Sequence, residues 1–167
     1  MTTDAQRVGF WGEAQVAKHV RCPVCHSPSL SPLAQGFPSL DLVCRACGAY
    51  MAQVKATTLK PGADPSTRPA TIRGAGWRPL QRQIALGQLR DLYVVGAYRR
   101  GKGFKLAFID LIPGAVLMSN LGVFQRRTAI IGQTRKHEMF NIHFDQIPKA
   151  GIVTLFQMDS VSGTGST

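Results

Sequence analysis

The segment DLVCRACGAYMAQVK, residues 41–55, decides the fold, because it places a cysteine pair between two short apolar stretches. Residues 40–43 and 50–55 have the length of β-strands, and the tight turn at residues 44–48 joins them, which predicts an antiparallel pair. Asp41 lies on the first strand. Gln53 and Lys55 share one face of the second strand, because side chains alternate along a strand.

A second cysteine pair precedes this segment. Cys22-Pro-Val-Cys25 and Cys44-Arg-Ala-Cys47 are separated by an 18-residue spacer, and no cysteine is left over. This spacing is typical of a tetrathiolate zinc ribbon, which we place at residues 21–48. Four thiolates fill the coordination shell, so this zinc ion stabilises the fold and does no chemistry. Redox disulfides or unrelated buried thiols are the alternative, and His26 is interpreted as a solvated neighbour of the first pair.

The composition indicates one basic domain. The chain has 167 residues, of which 44% are hydrophobic, enough for one sizeable core. Lys and Arg total 20 against 9 Asp and Glu, a net charge of +11, which favours a nucleic-acid partner. A membrane partner is disfavoured, since neither an 18-residue apolar run nor a basic amphipathic helix is present. The first seven residues lack the apolar core of a secretory signal, which predicts a cytoplasmic protein.

The rest of the chain is predicted to alternate between helices and strands. Thr3 and Asp4 are N-cap candidates for an opening amphipathic helix that ends near Val20. Residues 57–76 are interpreted as a mobile basic loop, residues 77–89 as a helix, and residues 91–98 and 104–112 as strands joined by a basic hairpin tip. Further strands are predicted at residues 128–131, 139–144 and 152–157, before a disordered tail at residues 159–167.

Several separated segments, in the same order, resemble the DpnI-like methyl-directed restriction endonucleases of the PD-(D/E)xK superfamily and its Dam-replacing family. They comprise Ala5-Gln6-Arg7 with Glu13, both cysteine pairs, Asp41, Gln53-Val54-Lys55, and the stretches 73–77, 108–113 and 141–157. The resemblance implies an α/β fold, a restriction-endonuclease-like mixed sheet flanked by helices with an inserted four-cysteine zinc ribbon. It implies that residues 1–158 form the nuclease domain of a type II restriction-like endodeoxyribonuclease from a prokaryote or a phage.

The resemblance also implies which residues of the site bind the metal ion and which position the attacking water. Asp41, Gln53 and Val54 are expected to hold a catalytic magnesium ion, for which manganese substitutes, and Lys55 to position the attacking water. Glu13 corresponds to a glutamate that members of the superfamily direct toward the metal through water; an exposed helical glutamate is the alternative. The substrate implied is double-stranded DNA, methylated on adenine where the family's specificity is retained.

Two departures from the family pattern leave alternatives open. The family usually has a carboxylate where this chain has Gln53, and the amide keeps an oxygen ligand but removes a negative charge, which weakens metal binding. A non-catalytic zinc-ribbon DNA-binding protein with a degenerate nuclease site is therefore the second hypothesis. The resemblance does not extend to the family's C-terminal winged-helix domain, which leaves open a standalone nuclease, a truncated chain, or a chain that works with a separate reader domain or subunit.

Basic residues concentrate between Lys55 and Lys105, where only Asp64 and Asp91 oppose them. A solvated surface would mix both signs, whereas a one-signed stretch with a glycine-flanked tip suits contacts with phosphates. The predicted DNA-binding residues are Lys60, Arg68, Arg73, Arg78, Arg82, Arg99, Arg100 and Lys102.

Overall fold

A computed structural model describes residues 3–34, 40–131 and 135–159. The order of elements is α1 (Asp4–His19), β1 (Leu30–Pro32), β2 (Leu42–Cys44), β3 (Met51–Thr58), β4 (Thr71–Ala75), α2 (Trp77–Ala85), β5 (Asp91–Arg100), β6 (Gly103–Ile112), α3 (Gly114–Ser119), β7 (Phe124–Ile131), β8 (Arg135–His143) and β9 (Val153–Gln157). The chain is thus a mixed α/β protein. Among the described residues, no helix combines the length and the apolar character needed to cross a bilayer.

The main sheet is mixed and has the strand order β1-β2-β3-β5-β6-β9. β3 and β5 are parallel, and all the other neighbours in this sheet are antiparallel. Residues 92–97 of the central strand β5 are all buried, because the sheet is covered on both faces. Tyr93 and Val95 point into one core, and Leu92 and Val94 into the other.

Helix α1 covers the first face. Its predicted start is confirmed: Thr3 is the N-cap, and it forms a capping box with Gln6. Gly12 faces β3, and a Cβ atom at this position would lie 2.6 Å from the Cβ of Ala56. Glycine therefore lets the helix approach the strand closely, which brings the next residue, Glu13, to the strand edge.

The second face packs against a three-stranded antiparallel sheet with the order β4-β8-β7. Ile72, Phe140 and Ile142 point inward into the second core. Arg73 and Gln125 are exposed on the outer face. This alternation is typical of an antiparallel sheet with one face toward solvent.

The predicted elements are largely confirmed, but several bounds differ: β7 begins at Phe124 and β8 at Arg135, each four residues before its predicted start. Residues 57–76 are not a structureless loop: β3 continues to Thr58, and β4 occupies residues 71–75. Helix α2 ends at Ala85, four residues before the predicted end. Strand β1 and helix α3 were not predicted. The predicted tail at residues 159–167 lies, apart from residue 159, outside the described residues.

Candidate active site

The four cysteines converge as the zinc-ribbon spacing predicts. All four Sγ atoms lie within 4.8 Å of one another, with 3.9 Å between Cys22 and Cys47 and 3.5 Å between Cys25 and Cys44. A tetrahedral zinc ion with bonds of about 2.3 Å requires sulfur atoms about 3.8 Å apart. The cluster therefore has the ligand type and the spacing to hold a zinc ion.

The two cysteine turns share one backbone geometry. The residue after each pair, His26 or Gly48, has a positive φ of 57° or 64°. The N–H of His26 donates to the carbonyl of Cys22, and that of Gly48 to the carbonyl of Cys44, both at 2.9 Å. His26 is exposed and outside the sulfur cluster, in agreement with its interpretation as a solvated neighbour.

The backbone around Cys44 favours the charged form of its thiol. The backbone N–H of Cys47 lowers the pKa of Cys44 to about 7. Hydrogen bonds from backbone amides stabilise a thiolate, the form that binds metal.

Asp41 lies at the point where β2 and β3 diverge. Its N–H donates to the carbonyl of Ala52 at 3.0 Å, at the end of the β2–β3 pairing. Two residues further along β3, the N–H of Val54 donates to Oδ2 of Asp41 at 2.7 Å. The carboxylate is therefore fixed beside the strand by the same ribbon that the cysteines close.

Lys55 and Glu13 approach this carboxylate from opposite sides of β3. The Nζ atom of Lys55 lies 3.5 Å from Oδ2 of Asp41. Glu13 comes from α1, next to the close contact at Gly12. Burial, followed by the negative charge of Asp41, raises the pKa of Glu13 from 4.5 to about 7, although Lys55 opposes this shift.

These three side chains line one cleft of about 420 Å³. Its other walls come from the first turns of α1, the edge of β3, and Thr71, Ile72 and Arg73 of β4. Two carboxylates beside a lysine supply hard oxygen donors, which suit a magnesium ion, and a cation that can orient water or phosphate. The predicted trio of Asp41, Lys55 and Glu13 is thus brought together.

The other two predicted magnesium ligands are placed differently. Gln53 is half-buried on β3 and is not among the described residues that line the cleft. Val54 lines the cleft, but its side chain is apolar, so only its main-chain carbonyl can ligate a metal. The geometry therefore favours Asp41 and Glu13 as the carboxylate donors of this cleft.

The predicted DNA-binding residues separate into three groups. Arg73 lines the cleft, and Arg100 and Lys102 are exposed at the β5–β6 hairpin tip. Arg99 of the same hairpin is paired with Asp4 at 2.7 Å. Asp4 directly precedes the cleft-lining Ala5, so the hairpin contacts α1 next to the cleft wall. The last group lies elsewhere and consists of Lys60, Arg78 and Arg82, all exposed, and Arg68.

Arg68 does not fit the prediction of a free phosphate contact. Its Nε and Nη2 atoms donate to the two oxygens of the fully buried Asp110 at 2.5 and 3.0 Å. Its guanidinium also stacks over the ring of Phe108, with 3.7 Å to the centroid. A buried carboxylate needs such a partner, so Arg68 anchors the segment between β3 and β4 to the core. Sequence alone did not reveal this pairing, because Asp110 lies within an apolar strand 42 residues away.

Thr57 and Thr71 also line the cleft and were missed by the sequence analysis. Threonine is common in strands, so neither residue gives a local signal.

No protein-family model and no curated protein matches this sequence. The arrangement of charges in the cleft is therefore the principal guide to function.

The raised pKa of Glu13 predicts a specific pH dependence of stability. The folded protein holds the Glu13 proton up to about pH 7, whereas the unfolded chain releases it near 4.5. Between these values folding binds a proton, so the Glu13 contribution to the free energy of unfolding falls as pH rises. We expect Glu13→Gln to be more stable than the wild type at pH 8, by about 1 kcal/mol after solvent screening.

Denaturant titrations in magnesium-free buffer at pH 4 and pH 8 measure this difference. The two proteins should have nearly equal stability at pH 4, where both side chains are neutral. An equal difference at both pH values would contradict a titrating Glu13, because a packing effect does not depend on pH.

Proposed function

We propose that this chain is a magnesium-dependent endonuclease that hydrolyses phosphodiester bonds in double-stranded DNA. The observation that supports this most is the meeting of Asp41, Lys55 and Glu13 in one cleft. Phosphodiester hydrolysis needs oxygen ligands for a hard cation and a group that orients water, and these side chains supply both. The net charge of +11 adds attraction for a polyanion.

The fold assignment belongs to the same proposal. A carboxylate where two strands diverge, a lysine on the second strand and a glutamate from the preceding helix agree with a restriction-endonuclease-like nuclease. The resemblance adds adenine-methylated sites as the substrate class and restriction or defence as the role. The four thiolates would hold a structural zinc ion, which keeps the strand bearing Asp41 in place.

Each residue then has a defined part. Bound magnesium would supply positive charge at the scissile phosphate and lower the pKa of a bound water. Asp41 and Glu13 offer the carboxylate oxygens that hold the ion. Lys55 orients the attacking water and offsets the charge that develops on the phosphate.

The chain has an uncharged amide, Gln53, where the family pattern has a carboxylate. This difference favours a second candidate, a non-catalytic DNA-binding protein with a degenerate site. One experiment decides between the two. Purified protein is incubated with magnesium or manganese and with plasmids grown with and without adenine methylation. The endonuclease should nick or linearise at least one plasmid; protein that binds DNA but is inert with both metals would be the degenerate form.

A Gln53→Glu variant tests how this position affects the site. Restoring the carboxylate of the family pattern adds a negative charge to β3 next to the cleft-lining Val54, so we expect tighter magnesium binding and equal or greater cleavage. Magnesium titrations of the cleavage rate measure both effects, and Gln81→Glu on exposed α2 is the matched control. An inert wild type together with an active Gln53→Glu would establish that the native site is degenerate.

DNA affinity should depend steeply on salt. Lysine and arginine contacts release counterions from the phosphate backbone, so the logarithm of the binding constant falls linearly with the logarithm of salt concentration. Replacing Arg100 and Lys102 together with alanine should reduce that slope by about 2 and weaken binding to all sequences alike. Fluorescence anisotropy at several salt concentrations measures the slope, and an unchanged slope would remove the hairpin tip from the interface.

A further inference from the structure

A lateral row of polar side chains leads out of the cleft across the outer face of the β4-β8-β7 sheet. Arg73 in the cleft wall lies directly opposite Asn141 of β8, and Asn141 lies opposite Gln125 of β7. Opposed residues on neighbouring strands have side chains on the same face, so the three form one line. With strands about 4.8 Å apart, the line spans about 10 Å.

The chemistry of this row suits the edges of bases. Among the described residues, no side-chain hydrogen bond satisfies Arg73 or Asn141, so their donors and acceptors remain available. Gln125 is exposed, and Nε2 of His143 lies 2.9 Å from its Oε1, which holds the amide in one orientation. Asparagine and glutamine form paired hydrogen bonds with adenine, and arginine does so with guanine.

The next outward-facing pair on β7 and β8, Arg127 and Met139, also carries a positive charge. Arg127 lies on the outer face opposite Met139, and its Nη2 atom meets only the weak acceptor Sδ of that residue at 3.5 Å. Its Nε atom is buried and without a hydrogen-bond partner within the described chain. An outer face with arginine, amide and imidazole groups, and no carboxylate among the described residues, complements DNA and not a basic or apolar partner.

We infer that the outer face of the β4-β8-β7 sheet reads base edges in the major groove, with Asn141 and Gln125 as specificity-determining residues. This inference rests on the proposed function, since it places the duplex across the same cleft. A major groove about 12 Å wide admits a β-ribbon, and the row of about 10 Å spans roughly three base pairs. Arg73 then lies closest to the scissile phosphate, and adenine is expected at the positions that Asn141 and Gln125 contact.

Selection from a random duplex pool tests the inference in the cleavage-inert Asp41→Asn protein. Bound DNA is sequenced for this protein and for the same protein with Asn141→Ala or Gln125→Ala. We expect an enriched motif that contains adenine, and each alanine variant should lower the preference at one position by about tenfold or more. Affinity for unrelated duplexes should change less than about twofold, since phosphate contacts remain. Gln81→Ala, an exposed glutamine on α2, should leave the motif unchanged.

The outcomes separate the inference from the proposed function. An unchanged motif in both alanine variants overturns the inference, even if the wild type cleaves DNA. A motif that flattens as expected supports the inference, even if the wild type proves inert with every divalent metal. A protein without measurable duplex binding overturns both, and leaves the sheet face as an ordinary solvated surface.

Discussion

Replacing Asp41 with asparagine should lower the rate of DNA cleavage by about 1,000-fold or more. The substitution removes a negative charge from the cation site while the amide oxygen can still accept the N–H of Val54. The fold and DNA binding should therefore persist. Lys55→Ala should lower cleavage to a similar extent, because it removes the only amine that lines the cleft among the described residues.

Single-turnover cleavage of a plasmid, measured beside fluorescence anisotropy on the same protein, separates catalysis from binding. Asp145→Asn and Lys18→Ala are the matched controls, since both residues are exposed and lie outside the cleft. Cleavage that survives Asp41→Asn would contradict the assignment of this cleft. A changed circular dichroism spectrum would reveal that the variant has lost its fold. A variant that keeps this spectrum and binds DNA, but does not cleave it, has lost only the chemistry.

Removal of the zinc ion should have the second large effect, on both the stability of the fold and the rate of DNA cleavage. A structural zinc site contributes its binding free energy to folding, about 10–16 kcal/mol in zinc-finger peptides, and a typical domain has only about 5–15 kcal/mol of net stability. Cys22 and Cys44 are fully buried, so Cys44→Ser should unfold the ribbon. Because Asp41 lies three residues before Cys44, cleavage should disappear with the structure.

Metal analysis and thermal unfolding measure this dependence. The wild type should contain one zinc ion per chain, and a strong chelator should abolish structure and cleavage together. The control is His26→Asn, which removes an imidazole beside the cluster and keeps a residue that tolerates positive φ. Less than about half an equivalent of zinc in the wild type, or unchanged melting of Cys44→Ser, would contradict a structural zinc site.

Local patterns in the sequence were sufficient for most of the strands and for the cysteine cluster. The pairing of β2 with β3, the β5–β6 hairpin and the start of α1 follow from short-range periodicity, turn residues and capping, which act over a few positions. Helix α2 ends at Ala85 because Gly87, with a left-handed φ of 63°, stops it two residues later. Strand β4 was missed because Gly74 obscures its periodicity and pairing with the distant β8 decides the outcome.

By itself the sequence determined the four-cysteine cluster, the antiparallel strands around Asp41 and the excess of positive charge, since each depends on spacing or composition. The tertiary structure decided which charges meet. It brought Glu13 to Asp41 through the close helix contact at Gly12, and it buried Arg68 against Asp110. It also aligned Arg73 with residues more than 50 positions away, on β7 and β8. These outcomes depend on packing between distant elements, where burial and strand register, not local propensity, set the free energy.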